Sequence, residues 1–157
     1  NPYDPLTFTI RQNGKMAFMD EADSRKLTDL KDCVSFAPQM FDNGKKSKYY
    51  GKNLSVAFLT KNKEPRHGWF ETKENYVQLI VNGRQPLKGF YGVTIPQMFT
   101  MLNEIALRIG QPILNGGNFD GGYSLGQYIM NVFRSDTGVI SRKIPNVIGI
   151  KTKRRNV

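Results

Sequence analysis

Thr94-Ile95-Pro96-Gln97-Met98-Phe99-Thr100-Met101-Leu102-Asn103-Glu104-Ile105-Ala106-Leu107-Arg108-Ile109-Gly110 is the stretch on which the fold class turns. Thr94 has a side chain that can cap a helix, and Gln97 stands three positions on to complete a capping box. Pro96 is tolerated in the first turn, where no hydrogen bond needs its missing N–H. Met98, Leu102, Ile105 and Ile109 then return at helical spacing, and Gly110 with Pro112 ends the run. The expectation is a helix over about residues 95–109. Phe99, Met101, Ala106 and Leu107 extend the apolar character around the circumference, so such a helix needs more than one partner. A second copy of the chain, through paired helices, or residues 123–150 folded back would supply it.

Toward the N-terminus the period changes from helical to alternating. Leu6-Thr7-Phe8-Thr9-Ile10 and Met16-Ala17-Phe18-Met19 flank Asn13-Gly14, a strong short hairpin signal. A two-residue loop would set Phe8 against Met19 and Ile10 against Ala17 on the core face. Asp20 to Asp32 is acidic and reads as a loop or one short helix. Cys33-Val34-Ser35-Phe36-Ala37 reads as a strand closed by Pro38, with Cys33 a buried thiol. Phe41 to Gly51 is a loop by composition, Asn53 to Thr60 alternates as a strand, and Lys61 to Gly68 is a basic turn. Trp69-Phe70 and Tyr76 to Val81 are strand-like, with a second hairpin signal at Asn82-Gly83. Phe90 to Ile95 would be the strand that enters the helix.

Beyond the helix, Asn115-Gly116-Gly117-Asn118-Phe119-Asp120-Gly121-Gly122 lacks the spacing of a phosphate-binding loop and reads as a mobile connection. Tyr123 to Arg134 fits a helix or a strand, the later part favouring a strand ending in the turn Ser135-Asp136-Thr137-Gly138. The fold expected is α+β: curved antiparallel sheet built from hairpins, one long helix packed across it, and room for a second short helix. With 157 residues, of which 39% are hydrophobic, the chain suits one domain over 1–150, followed by a basic tail at 151–157.

The net charge is +10, and it is uneven: residues 1–43 sum to −2, residues 44–92 to +7 and residues 93–157 to +5. A basic surface of this kind attracts polyanions. The basic residues also interleave with aromatics. Lys45, Lys46 and Lys48 precede Tyr49, Tyr50 and Lys52; Lys61, Lys63 and Arg66 precede Trp69 and Lys73; Arg84 and Lys88 precede Tyr91. Cations that track phosphates beside rings that stack on bases are what a single-stranded nucleic acid needs. Phe58, Phe70, Phe90 and Phe99 are read as core, whereas Tyr49, Tyr50, Trp69 and Tyr91 have polar tips suited to partial exposure. No helix-turn-helix, zinc finger or basic zipper occurs.

Catalytic signatures are sparse. One Cys and one His exclude a disulfide framework, a thiolate zinc cage and any paired imidazoles. His67, in Pro65-Arg66-His67-Gly68-Trp69, has no partner nucleophile nearby in sequence, and no Gly-x-Ser-x-Gly elbow occurs. Asp20, Glu21 and Asp23 read as a solvated surface. The expectation is therefore a non-enzymatic, sequence-tolerant single-strand binder without metal or cofactor, working as a dimer or higher oligomer. A viral or phage assembly protein with a basic contact surface is the alternative, and a carboxylate-dependent enzyme the third. No apolar run approaches the roughly 20 residues of a membrane span. Asn1-Pro2-Tyr3-Asp4-Pro5 is unlike a signal peptide, so a reducing intracellular compartment is expected.

Over about residues 50–110, strands leading through Gly92-Val93-Thr94-Ile95-Pro96 into Met98…Ile109 resemble the pattern of the Whirly group of small sheet-plus-helix proteins. The resemblance implies a curved antiparallel sheet, single-strand binding and a helix that mediates dimerisation.

Overall fold

A computed structural model describes residues 6–51, 60–81, 91–121, 126–129 and 132–135. The first hairpin pairs β1 (Leu6–Arg11) with β2 (Met16–Asp20), but its loop has three residues. Gly14 N donates to Arg11 O and Arg11 N to Lys15 O, both at 2.9 Å, while the Asn13 side chain accepts from Lys15 N. Gly14 takes a φ of +83°, which makes this a turn closed by a left-handed glycine. The extra loop residue shifts the register by one. Phe8 therefore faces Phe18, not Met19, and Phe18 moves to the core side with its ring centroid 5.1 Å from that of Phe8.

The acidic segment forms a one-turn helix, α1 (Glu21–Ser24), with ion pairs from Arg25 to Glu21 and Lys26 to Asp23. Strand β3 (Leu30–Phe36) then pairs with β1, completing a three-stranded antiparallel sheet of order β2-β1-β3. Cys33, expected inside, is exposed. It stands opposite Thr9, on the side of β3 away from Phe8, whereas Val34 and Phe36 alternate onto the Phe8 side.

The segment expected as a loop from Phe41 holds a second hairpin, β4 (Gln39–Asp42) with β5 (Lys45–Lys46), turned by Asn43-Gly44. Arg66, His67 and Gly68, expected in a turn, already belong to β6 (Arg66–Thr72), which pairs with β7 (Tyr76–Val81). Residues 91–94 do not form the strand expected before the helix; a single bridge joins Val93 to Glu64.

Helix α2 (Ile95–Ile109) follows the sequence closely. Gln97 N donates to Thr94 Oγ1 at 3.3 Å, and Thr94 N donates to Gln97 Oε1 at 2.9 Å, the reciprocal capping box. At the other end Gln111 N reaches Ala106 O and Gly110 N reaches Leu107 O, a Schellman closure around a left-handed Gly110.

The largest departure is the glycine-rich stretch. It is β8 (Ile113–Gly121), the central strand of a five-stranded antiparallel sheet ordered β5-β4-β8-β6-β7. Its glycines are there for closeness. A Cβ on Gly116 would lie 2.5 Å from Phe70 Cδ1 and from Trp69 O, and one on Gly117 would lie 2.7 Å from Pro38 O. Beyond it, β9 (Gly126–Ile129) and β10 (Val132–Ser135) pair as a two-stranded sheet, in line with the strand reading of that region. The expected strand through residues 53–59, the Asn82-Gly83 hairpin, the Ser135–Gly138 turn beyond Ser135 and the basic tail lie outside the described residues.

These pieces make an α+β fold of three layers. Phe41, Phe70, Met98, Leu102 and Ile113 form the core between α2 and one side of the five-stranded sheet. Trp69, from the other side of that sheet, joins Leu6, Phe8 and Phe36 of the three-stranded sheet in a second core. A fully buried side chain of this size contributes about 1.5–3 kcal/mol, so the two cores hold the layers together.

Candidate functional site

Five of the residues expected to bind a polyanion do come together. Lys45 and Lys46 are exposed on the edge strand β5, and the chain after it brings Lys48, Tyr49 and Tyr50 beside them. Lys46 Nζ sits 4.0 Å over the Tyr50 ring, and Lys48 Nζ 5.0 Å over the Tyr49 ring. Tyr50 in turn meets Phe99 of α2 edge-on at 5.6 Å, and Phe99 stacks on Phe41 at 4.7 Å. Burial raises the Tyr50 hydroxyl above the usual tyrosine range. One face of Tyr50 is thus covered by Lys46, which leaves less ring for a base than the sequence suggested.

Of the other expected residues that the structure describes, several are spread along β6. Lys61 and Lys63 are exposed ahead of β6, while Lys73 is exposed in the turn after it. Those two ends of β6 are roughly 20 Å apart, given the rise of an extended strand. Tyr91 is half exposed, at 50%. Lys52, Arg84 and Lys88 lie outside the described residues.

Two expected contact residues turn out to be interior. Arg66 is 2% exposed; its guanidinium donates to Val93 O at 3.3 Å and to Asn62 O at 3.1 Å. Burial pulls its pKa down from the ordinary arginine value, with the charge of Glu64 opposing. Trp69 is 5% exposed and packs on Phe8 with centroids 5.4 Å apart. The cause is strand alternation: Trp69 falls on the side of β6 covered by the three-stranded sheet, where no base can reach its ring.

That same alternation builds a polar cluster around the single histidine. His67, Trp69 and Glu71 share one side of β6, two residues apart. The Trp69 indole N–H donates to His67 Nε2 at 2.9 Å, and the Gln78 amide nitrogen lies 2.6 Å from the same atom. Gln78 reaches it because it stands opposite Trp69 on β7. The Phe119 ring meets the imidazole edge-on at 5.2 Å. On β8 the backbone position opposite His67 is Asp120, beside the glycine-rich end of that strand. His67 is half-buried and Gln78 exposed, so the cluster borders solvent. Glu71 is occupied elsewhere, accepting from Asn115 Nδ2 at 2.9 Å. Sequence reading passed over this cluster by treating His67 as part of a turn; the His-x-Trp spacing inside a strand was the available signal.

Away from this cluster, a concavity of about 460 Å³ opens between the C-terminal half of α2 and the β4–β5 turn, lined among others by Phe41, Ala106, Leu107 and Ile113. It holds no titratable side chain. Among the described residues, no three His, Cys, Asp or Glu side chains stand close enough to share a metal ion.

No family model matches the chain, and no curated protein matches it by sequence. Among solved structures, it is similar to the catalytic domain of zebrafish N-acetylglucosamine-1-phosphodiester alpha-N-acetylglucosaminidase, auto-inhibited by its pro-peptide. The TM-score is 0.60 at 18% identity, over 84% of this chain and 44% of that one. The chain thus spans less than half the length of the domain it resembles, and the likeness concerns the fold.

Proposed function

We propose that this chain forms the sheet core of a hydrolase domain acting on a sugar phosphodiester, with the His67 end of the five-stranded sheet as its binding site. The observation that carries the reading is the coincidence of two facts. The fold is similar to part of a glycosidase catalytic domain, and a chemically equipped, solvent-bordering cluster lies where β6, β7 and β8 meet.

The chemistry asks for what that place offers. Cleaving the glycosyl C1–O bond by water passes through an oxocarbenium-like transition state and needs a carboxylate to accept the proton of the water. The backbone position opposite His67 on β8 belongs to an aspartate, Asp120, so its substitution tests that part. The leaving phosphate is already an anion and needs donors rather than an acid; His67 and the Gln78 amide can serve. A net charge of +10 draws such an anionic substrate toward the protein.

The direct test is incubation of the chain with an N-acetylglucosamine-1-phosphodiester such as N-acetylglucosamine 1-(methyl phosphate), scoring free sugar. Release that disappears in Asp120→Asn and drops at least tenfold in His67→Ala supports the reading. Absence of both sugar release and saturable binding overturns it.

The nucleic-acid reading keeps one specific observation, the clustered Lys45, Lys46, Lys48, Tyr49 and Tyr50 at the β5 edge. If that edge grips a single strand through about six phosphates, log affinity falls with log salt at a slope near −4. A flat salt dependence removes it. Because Trp69 is interior, base stacking on its indole is no part of this second reading.

A further inference from the structure

We infer that Trp69 holds His67 as the tautomer protonated on Nδ1, which makes Trp69 a positioning residue for the imidazole. The argument starts from donor inventory. An indole N–H can only donate, and at 2.9 Å from His67 Nε2 it requires a lone pair on that nitrogen. Nε2 is therefore unprotonated, and the single proton of the neutral ring sits on Nδ1. The Gln78 carboxamide nitrogen, 2.6 Å from the same atom, is a second donor aimed at the same lone pair.

The arrangement is rigid because its parts are fixed independently. Trp69 is packed into the second core against Phe8, and Gln78 is held opposite Trp69 by the β6–β7 register. Phe119 abuts the other component, the imidazole ring itself. His67 cannot rotate to exchange its nitrogens without breaking two hydrogen bonds and moving against an aromatic ring.

The consequence for chemistry is directional. Nε2 is closed to a metal ion or an incoming proton unless the Trp69 bond is given up, and the ring acts as a hydrogen-bond donor through Nδ1. A donor suits an anionic phosphate oxygen; this assignment of partner rests on the proposed function, whereas the tautomer does not.

The test is a two-bond 1H–15N correlation spectrum of the uniformly labelled chain at mildly alkaline pH, in which the only histidine needs no assignment. The expected result is Nε2 at the downfield position of an unprotonated ring nitrogen and Nδ1 at the upfield position of a protonated one. That is the reverse of the preference of a solvent-exposed imidazole. Trp69→Phe removes the donor that cannot reverse; the Gln78 carboxamide can turn its oxygen to the ring, so the ring should return to a mixture dominated by the Nε2-protonated form. Gln78→Met, on the exposed side of β7, should keep the Nδ1-protonated form, because the indole alone enforces it. A wild-type spectrum showing an Nε2-bound proton overturns the inference even if Trp69→Phe does not fold. A flip in Gln78→Met overturns the role given to Trp69. A locked tautomer in a chain that releases no sugar would leave this inference standing while the hydrolase reading fell.

Discussion

Helix α2 and strand β8 follow each other in the chain and pack in the same core, yet their sequences specify them in opposite ways. The helix is written locally: the Thr94–Gln97 box, the apolar spacing and the Gly110 closure all lie within the element. The strand is written by its neighbours. Gly116 and Gly117 make a poor strand on propensity, but Phe70, the Trp69 carbonyl and Pro38 leave no room there for a side chain. Local codes can be read from one segment; a code of closeness becomes readable only when the segments that crowd it are in place.

Substitutions can break that contrast, beginning with the strand. Gly116→Val places a branched side chain against Phe70 at a φ of +151°, combining overpacking with backbone strain. We expect a loss of about 3 kcal/mol or more in urea unfolding. A loss below about 1 kcal/mol would mean that β8 is not wedged between its neighbours. Leu102→Ala, on the fully buried side of α2, should cost about 3 kcal/mol by leaving a cavity under the helix. The local code is worth less. Thr94→Ala should cost about 1 kcal/mol, the usual value of an N-cap. Leu107 is 81% exposed, so Leu107→Glu should leave monomer stability within about 0.5 kcal/mol. If light scattering shows an oligomer that this change dissolves, the helix face is an interface between copies, as its sequence suggested.

The smallest expected effect concerns the clamp of Lys46, Tyr50 and Phe99 that ties the β5 edge to the helix. Burial raises the Tyr50 pKa, so the folded chain keeps this proton where the unfolded chain has lost it. The neutral hydroxyl's contribution is complete below the unfolded value, about pH 10, and shrinks as pH rises through the folded one. Urea midpoints should fall less between pH 9 and pH 11 in Tyr50→Phe than in the wild type. Equal falls would place Tyr50 in water.

How much was legible follows the same division. The α+β class, the helix with both its ends and the first hairpin were open to reading because each rests on short-range rules. The register of that hairpin was not, since one extra residue in the loop at Asn13-Gly14 flips every side chain of β2. The candidate site was partly legible. Lys45, Lys46, Lys48, Tyr49 and Tyr50 are neighbours in sequence and so stayed neighbours in space. Arg66 and Trp69 carried the right chemistry but stand on opposite sides of β6, and composition does not say that both sides of the strand will be covered. His67, Gln78 and Asp120 come from three strands and had no common signature along the chain.

The central claim is that ligand binds at the His67 end of the five-stranded sheet. Amide chemical-shift mapping of the labelled chain during titration with an N-acetylglucosamine-1-phosphodiester tests it directly. The account expects saturable shifts centred on His67, Gln78 and the residues around Asp120, with Lys45 to Tyr50 unmoved. Shifts confined to Lys45–Tyr50, or none at saturating ligand, would contradict it.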